Sequence, residues 1–121
     1  WPGKKILVVE DNANSFEFIK EYLGDTETEI IHAKSGNEAV KIYSETKKIS
    51  LVLMDIQLPG MNGIEATKLI KALNPSAIII AQTAYAMQEE KENALDSGCS
   101  DFLTKPVKKD SFFELLNKYL S

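Results

Sequence analysis

Four polar positions in this chain each come just after a short apolar run, and their side chains suit the chemistry of a phosphoryl group. They are the pair Glu10-Asp11, then Asp55, Thr83 and Lys105. The apolar runs are typical of buried strands in a parallel sheet. Ligands of open α/β sheets bind outside the carboxyl ends of the strands, so these side chains should converge at one edge. Three carboxylates, a hydroxyl and an amine together suit a divalent cation and a phosphoryl group.

The elements that must position these residues alternate between strand and helix, five times over. Strands are predicted at 5–9, 28–32, 51–54, 78–82 and 101–103, and helices at 15–23, 36–44, 64–73, 87–96 and 109–120. Strict alternation with short connections favours a parallel sheet covered on both faces. The predicted fold is therefore α/β, a flavodoxin-like doubly wound sheet of five parallel strands in the order 2-1-3-4-5 with five helices. The third helix is expected to bury Ala66, Leu69, Ile70 and Leu73.

Length and composition set the broad class. We expect a single domain over residues 1–121, with residues 1–3 at its boundary. The formal charge is −4 without a basic cluster, which argues against direct nucleic-acid binding. No apolar run is long enough to cross a bilayer, so no membrane contact by this domain is expected. The single cysteine, Cys99, excludes an internal disulfide and fits a reducing compartment, which favours a cytoplasmic location.

The three acidic residues form a candidate metal site. Alone, Asp55 could be an N-cap or turn residue, and Glu10 and Asp11 could be the polar start of a loop. Strands one and three are neighbours in the predicted order, however, so the three carboxylates would crowd one point and repel each other. Mg²⁺ resolves that repulsion with a few carboxylates, several waters and a phosphate oxygen, and Mn²⁺ is the alternative cation. The backbone carbonyl of Gln57 is the predicted additional ligand.

Lys105 and Thr83 complete the candidate phosphoryl site. A lysine is usually a solvated charge, but Pro106 indicates a shaped turn, and a cis Lys105-Pro106 peptide would aim the amine over the sheet edge. Thr83 could be an ordinary strand residue, or its hydroxyl could meet a phosphate oxygen. A carboxylate nucleophile beside a cation, an amine and a hydroxyl makes a phosphoryl acceptor site. Attack by Asp55 on phosphorus would give an aspartyl phosphate.

Over essentially its whole length the chain resembles the receiver domain of two-component response regulators, and four stretches carry the resemblance. They are KILVVEDN at 5–12, LMDIQLPGMNG at 53–63, AQTAYA at 81–86 and GCSDFLTKP at 98–106. All four occur in order and with family-like spacing, which makes the signal specific. The phrases around Asn12, Gln57 and Tyr85 look most like receivers attached to hybrid sensor histidine kinases.

The resemblance implies a role for each matching residue of the candidate site. Asp55 matches the phosphorylated aspartate. Asp11 matches the direct Mg²⁺ ligand, and Glu10 matches the acid beside it. Thr83 matches the switch hydroxyl, and Lys105 matches the lysine that pairs with the phosphate.

Three further positions take their roles from the resemblance alone. Phe102 sits at the switch aromatic, without the hydroxyl of the commoner tyrosine. Gln57 and Tyr85 stand two positions after the acceptor aspartate and the switch threonine, where family members tune the lifetime of the phosphate. Glu10 is longer than the more frequent aspartate, so contact with the metal through water is expected.

The implied function is that of a phosphoacceptor in a two-component phosphorelay. A sensor histidine kinase or histidine phosphotransfer protein would present a phosphohistidine, and Mg²⁺-dependent transfer to Asp55 would draw Thr83 and Lys105 inward. Phe102 would follow and reshape the face made by helix four, strand five and helix five, through which a phosphorylation-dependent dimer could form. The domain would assist its own phosphorylation and dephosphorylation without being an enzyme, and a hybrid histidine kinase is one candidate for the parent chain.

The first helix and its flanks are the predicted docking site for that partner. Phe16, Ile19 and Tyr22 are the candidate contacts, with core packing as the alternative for Phe16 and Ile19. His32, the only histidine, lacks a second ligand, and a surface or hydrogen-bonded role is expected for it.

Three other functions share part of this pattern. A pseudo-receiver would keep the fold as a phosphorylation-independent protein-binding module, but the intact set of acids, hydroxyl and lysine argues against it. A haloacid-dehalogenase-like phosphatase would need a second acid two residues after the nucleophile, where this chain has Gln57. A flavodoxin-type cofactor carrier would need a phosphate-cradling loop after strand one, where Glu10-Asp11 is acidic. The fold is common to several of these functions, so the site must separate them.

Overall fold

Strands and helices alternate along the chain in the predicted order. The structure is a computed structural model that describes residues 1–56, 62–83 and 88–120. The strands are β1 (Lys5–Val9), β2 (Glu29–Ala33), β3 (Leu51–Asp55), β4 (Ile79–Thr83) and β5 (Asp101–Thr104). The helices are α1 (Ala13–Leu23), α2 (Gly36–Glu45), α3 (Gly63–Leu73), α4 (Gln88–Ser97) and α5 (Lys109–Leu120). None of these helices is both long enough and apolar enough to span a membrane.

All strands join one parallel sheet, in the order β2-β1-β3-β4-β5. The predicted flavodoxin-like order is therefore confirmed. Every residue of the central strand β3 is buried, as expected for a strand with neighbours on both sides and helices on both faces. Val9 pairs with Met54, and Met54 pairs with Ala81. This register brings the residues that follow β1 level with the end of β3.

Side-chain caps set where two helices begin. Asn12 Oδ1 accepts a hydrogen bond from the Ser15 backbone N–H at 3.0 Å, so α1 starts at Ala13, earlier than the predicted residue 15. Asn62 does the same for α3, with 2.9 Å from its Oδ1 to the Glu65 nitrogen. Both helices follow strands that end at the candidate site. The caps therefore help to hold the connections around it.

Successive residues of a strand contribute their side chains to two separate hydrophobic cores, one on each face of the sheet. Ile6 packs in a cluster with Phe112 on the face covered by α1 and α5. Leu7 packs in a second cluster with Ala66 on the face covered by α2, α3 and α4. The sheet is thus covered on both sides, as the alternation of elements predicted.

The buried stripe of α3 is narrower than the sequence suggested. Ala66 and Ile70 are fully buried, as predicted, but Leu69 and Leu73 are 44% and 53% exposed, so their predicted burial was wrong. Successive helical residues are separated by about 100° around the axis. The sheet contacts the row that contains Gly63, Ala66 and Ile70, and Leu69 lies outside that row.

Candidate functional site

The predicted site residues meet at the carboxyl edge of the sheet. Glu10 directly follows β1, Asp55 ends β3, Thr83 ends β4, and Lys105 directly follows β5. The Ile56 N–H donates to the Gln82 carbonyl at 3.0 Å, and the Lys105 N–H donates to the Thr83 carbonyl at 2.8 Å. These bonds extend the ladder past the strand ends and fix the backbone on which the side chains stand.

A single amine lies between two buried carboxylates. Lys105 Nζ donates a hydrogen bond to Asp55 Oδ2 at 2.9 Å and forms an ion pair with Glu10 Oε1 at 2.8 Å. Both acids are buried, and the lysine is half-buried. The predicted cis peptide between Lys105 and Pro106 is present. The amine thus occupies the position over the sheet edge that the sequence predicted.

Burial and crowding change the acidity of Glu10. The pKa of Glu10 is raised from 4.5 to about 7, mainly because the carboxyl group is buried and secondly because it shares a hydrogen bond with Asp55. Lys105 offsets part of that rise. Burial lowers the pKa of the Lys105 amine, but its hydrogen bonds and ion pairs with Glu10 and Asp55 hold that pKa above its ordinary value. The site therefore holds a proton between its carboxylates more readily than solvated acids would.

The acidic residues fit a divalent cation. One carboxylate oxygen from each of Glu10, Asp11 and Asp55 lies within 4.8 Å of the others. Glu10 Oε1 is buried, and the Lys105 amine lies 2.8 Å from it. Asp11 is exposed, so water can reach the cluster. Clustered oxygen ligands with access for water are what Mg²⁺ requires.

The two residues that were predicted to act as the switch lie in β4 and β5. Thr83 is buried at the end of β4, and Phe102 is half-buried in β5, paired with Ala81. Each makes interactions in the structure. Gln57, the predicted carbonyl ligand, and Tyr85, a predicted lifetime residue, lie outside the described residues.

His32 contacts the acidic connection after β1. Its Nε2 lies 2.8 Å from the Glu10 carbonyl oxygen, so this nitrogen carries the proton and donates, because a carbonyl can only accept. The ring stacks on Phe16, with centroids 3.6 Å apart and planes 4° from parallel. The predicted hydrogen-bonded role is confirmed, but the sequence did not reveal that the acceptor is Glu10.

The three residues on α1 that were predicted to contact a partner are buried or half-buried. Ile19 is buried in the core, the alternative left open for it, and Phe16 is half-buried against His32. Tyr22 donates its hydroxyl to the Val107 carbonyl at 3.1 Å, which ties α1 to the connection between β5 and α5. Phe18, which the sequence did not single out, is 59% exposed.

Sequence reasoning missed Gln82, which is fully buried next to the site. The signal was a single amide in the otherwise apolar run of β4, directly before Thr83. It pairs in register with Asp55.

Comparisons with known proteins identify the family. Residues 6–117 match the family model of the response regulator receiver domain, so the chain belongs to that family and is a receiver domain of two-component signalling. It is 38% identical over 122 residues to hybrid signal transduction histidine kinase I of Dictyostelium discoideum. That match covers 94% of this chain and 7% of the relative, so the chain spans only a small part of the kinase.

Two solved structures share the fold closely. The receiver domain of sensor histidine kinase PA1611 from Pseudomonas aeruginosa PAO1 holds a magnesium ion in its active site cleft. It superposes with a TM-score of 0.89 at 32% identity, over 98% of each chain. One chain of the co-crystal structure of the Saccharomyces cerevisiae phosphotransfer protein Ypd1 with the receiver domain of Ssk1 superposes with a TM-score of 0.91. That match is 34% identical and covers 98% of this chain and 90% of the other.

Proposed function

We propose that this domain accepts a phosphoryl group on Asp55 from a phosphohistidine, in a reaction that depends on Mg²⁺. The observation that carries the proposal is that the Asp55 carboxylate belongs to the acidic cluster and also contacts the Lys105 amine. A buried carboxylate in a candidate cation site, with an amine at 2.9 Å, has the parts of a phosphoryl acceptor.

The transfer forms one bond and breaks one. An Asp55 oxygen attacks phosphorus, the new O–P bond forms, and the P–N bond to the donor imidazole breaks, so that the imidazole leaves and takes a proton from solvent. Lys105 holds a charge beside the oxygens of the transferred group. Glu10, Asp11 and Asp55 would hold Mg²⁺, or Mn²⁺ in its place, together with the Gln57 carbonyl. The cation neutralises charge on the phosphoryl oxygens when it is bound.

The added charge is the proposed signal. A phosphoryl group brings about −1.5 to −2 charges at neutral pH, which draws the Thr83 hydroxyl and Lys105 toward it. Phe102 then changes its packing, and the face formed by α4, β5 and α5 changes with it. A dimer of phosphorylated domains through that face is part of this proposal, as is tuning of the phosphate lifetime by Gln57 and Tyr85.

The proposed partner is a sensor histidine kinase or a histidine phosphotransfer protein in the cytoplasm. Support comes from the Ssk1 receiver, whose co-crystal contains such a phosphotransfer protein, and from the similarity to a hybrid histidine kinase. On this chain, α1 is the proposed docking element. It carries the exposed aromatic residue Phe18, and a hydrogen bond from Tyr22 ties it to the segment between β5 and α5.

Intact mass after incubation with Mg²⁺ and acetyl phosphate tests the proposal. We expect one acid-stable, base-labile phosphoryl adduct in the wild type and none in Asp55→Asn. Asp110→Asn removes an exposed carboxylate in α5 and should leave the adduct unchanged. A wild-type protein that binds Mg²⁺ but takes no phosphoryl group would instead favour a pseudo-receiver that works by binding alone.

A further inference from the structure

Gln82 carries a buried carboxamide that has no hydrogen-bond partner among the described residues. The residue is fully buried in β4, and neither its Nε2 nor its Oε1 is paired within residues 1–56, 62–83 and 88–120. A buried polar group without a partner costs free energy that an apolar side chain of the same length would not cost. Such a group is more easily understood if another state of the protein supplies the partner.

The sheet register puts this carboxamide beside the site. Gln82 pairs with Asp55 on one side and with Leu103 on the other. Residues that pair in register between parallel strands present their side chains to the same face of the sheet. Side chains alternate between the two faces along a strand, so Lys105, two residues after Leu103, is on the same face as Leu103 and Gln82. Gln82 and Lys105 both line a cavity of about 180 Å³ between α1 and the connection that follows β5. Ile19 and Val107 form part of its apolar wall.

Loading the site would take lone pairs from the present partners of Lys105. A lysine ammonium has three N–H donors, and here it contacts Asp55 Oδ2 and Glu10 Oε1. Once those carboxylates hold a cation and Asp55 carries a phosphoryl group, they have fewer free lone pairs for the amine. One N–H group of Lys105 can then donate to a phosphoryl oxygen, and a second N–H group needs a new acceptor. Gln82 Oε1 is a buried acceptor on the same cavity, and no donor among the described residues pairs with it.

We propose that Gln82 is a positioning residue, whose carboxamide oxygen accepts a hydrogen bond from the Lys105 amine in the phosphorylated state. The inference rests on the proposed phosphorylation of Asp55. Because the bond exists only in the loaded state, it stabilises that state selectively and shifts the equilibrium toward it. Gln82 would hold Lys105 against the phosphoryl group without touching the group itself.

The test compares Gln82→Met with the wild type, because methionine keeps the unbranched length and removes the amide. We expect the metal-free variant to unfold at the same urea concentration as the wild type or a higher one. Its affinity for beryllofluoride, a phosphoryl mimic, should fall by about tenfold in saturating Mg²⁺, because a bond to a charged group is lost. Thr67→Val is the matched control. It replaces another fully buried polar group, on the face covered by α3, and should leave that affinity unchanged.

A second background isolates the contact with Lys105. In Lys105→Met, adding Gln82→Met should produce no further loss of beryllofluoride affinity, because the donor is already absent. The side-chain NH₂ signals of Gln82 in ¹⁵N-labelled protein should shift when Mg²⁺ and beryllofluoride are added to the wild type, and shift less in Lys105→Met.

The outcomes separate the two proposals. If the wild type binds beryllofluoride and Gln82→Met binds it equally well, the role of Gln82 is refuted and the phosphoacceptor function stands. If Gln82→Met destabilises the metal-free protein and keeps the wild-type affinity, the carboxamide is paired in the resting state, for example with a buried water, and the inference also fails. If the wild type itself binds no beryllofluoride, both the proposed function and the proposed role of Gln82 are refuted.

Discussion

Lys105 Nζ and Glu10 Oε1 lie 2.8 Å apart, although the strands that precede these residues are not neighbours in the sheet. The strands β3 and β4 separate β1 from β5, so the two side chains meet over the edge of the sheet rather than within it. Asp55, at the end of β3, lies beneath this contact, 2.9 Å from the same amine. The ion pair between the first and last strands therefore places a positive charge above the proposed acceptor.

Replacing Lys105 with methionine should slow phosphorylation while leaving the metal site occupied. The amine is the positive group nearest to Asp55 in the described structure, and loss of a charge that stabilises the transition state slows catalysis by about 100-fold or more. The acids that are proposed to hold Mg²⁺ are untouched, so calorimetry should still detect Mg²⁺ binding. Lys108→Met removes an exposed lysine from the same connection and should label at the wild-type rate with acetyl phosphate. Equal labelling of both variants would contradict the role of Lys105.

The stability of the metal-free protein should depend on the proton of Glu10. Its pKa is about 7 in the folded protein, against an ordinary 4.5, so between these values the folded state binds a proton that the unfolded chain has released. Stability from this group therefore falls as the pH rises through that interval. The fall is at most about 3–4 kcal/mol, because one pKa unit corresponds to about 1.4 kcal/mol. Urea unfolding in EDTA at several pH values measures it.

Glu10→Gln separates this effect from other titrations. The amide resembles the neutral acid, so the difference in unfolding free energy between wild type and Glu10→Gln should change across pH 4.5 to about 7 and level off above it. A constant difference across that range would show that Glu10 titrates at its ordinary pKa in the folded protein.

Mg²⁺ affinity should rise with pH over the same interval. A cation binds the ionised carboxylate, so it must displace the proton that Glu10 holds below about pH 7. Isothermal titration in the absence of phosphodonor should show the affinity increasing until Glu10 is ionised and then becoming constant. The prediction is wrong if the affinity is already at its plateau at about pH 5.5.

His32 should help to hold the acidic connection in place. Its Nε2 donates to the Glu10 carbonyl at 2.8 Å, and its ring stacks on Phe16. His32→Phe keeps a ring for the stack and removes the donor, whereas His32→Gln keeps a donor and removes the ring. Because residues that support metal ligands typically contribute about tenfold to affinity, His32→Phe should bind Mg²⁺ about tenfold more weakly. His32→Gln should lose less, and equal affinities for the wild type and both variants would rule out this role.

A side chain at Gly63 should displace the backbone of Asp55. A Cβ there would lie 2.2 Å from the Asp55 carbonyl oxygen and 2.7 Å from the Ile56 Cα, both far inside contact distance. We expect Gly63→Ala to destabilise the fold by about 1–3 kcal/mol in thermal or urea unfolding. At Gly24 the nearest atom to an added Cβ is 3.3 Å away, so Gly24→Ala should cost much less. Comparable losses in both variants would contradict this view of Gly63.

The strand ends could be predicted well, whereas details on the helices could not. Glu10, Asp55 and Lys105 were found because a short apolar run predicts a strand, and parallel strands share one carboxyl edge. Leu69 and Leu73 were placed in the core wrongly, because apolar residues on a helix do not show which row the sheet will contact. For Ile19 the sequence left partner contact and core packing open, and the structure places it in the core.

The sequence by itself determined the class of the fold and the chemical groups at its edge, because both follow from local patterns of apolar and polar residues. The tertiary structure alone decided which groups meet. Three relationships depend on register and reach between separate strands: the pairing of Lys105 with Glu10, the bond from His32 to the Glu10 carbonyl, and a Gln82 carboxamide that finds no partner among the described residues. Periodicity along one strand carries no information about the distance to another, so these relationships become visible only in three dimensions.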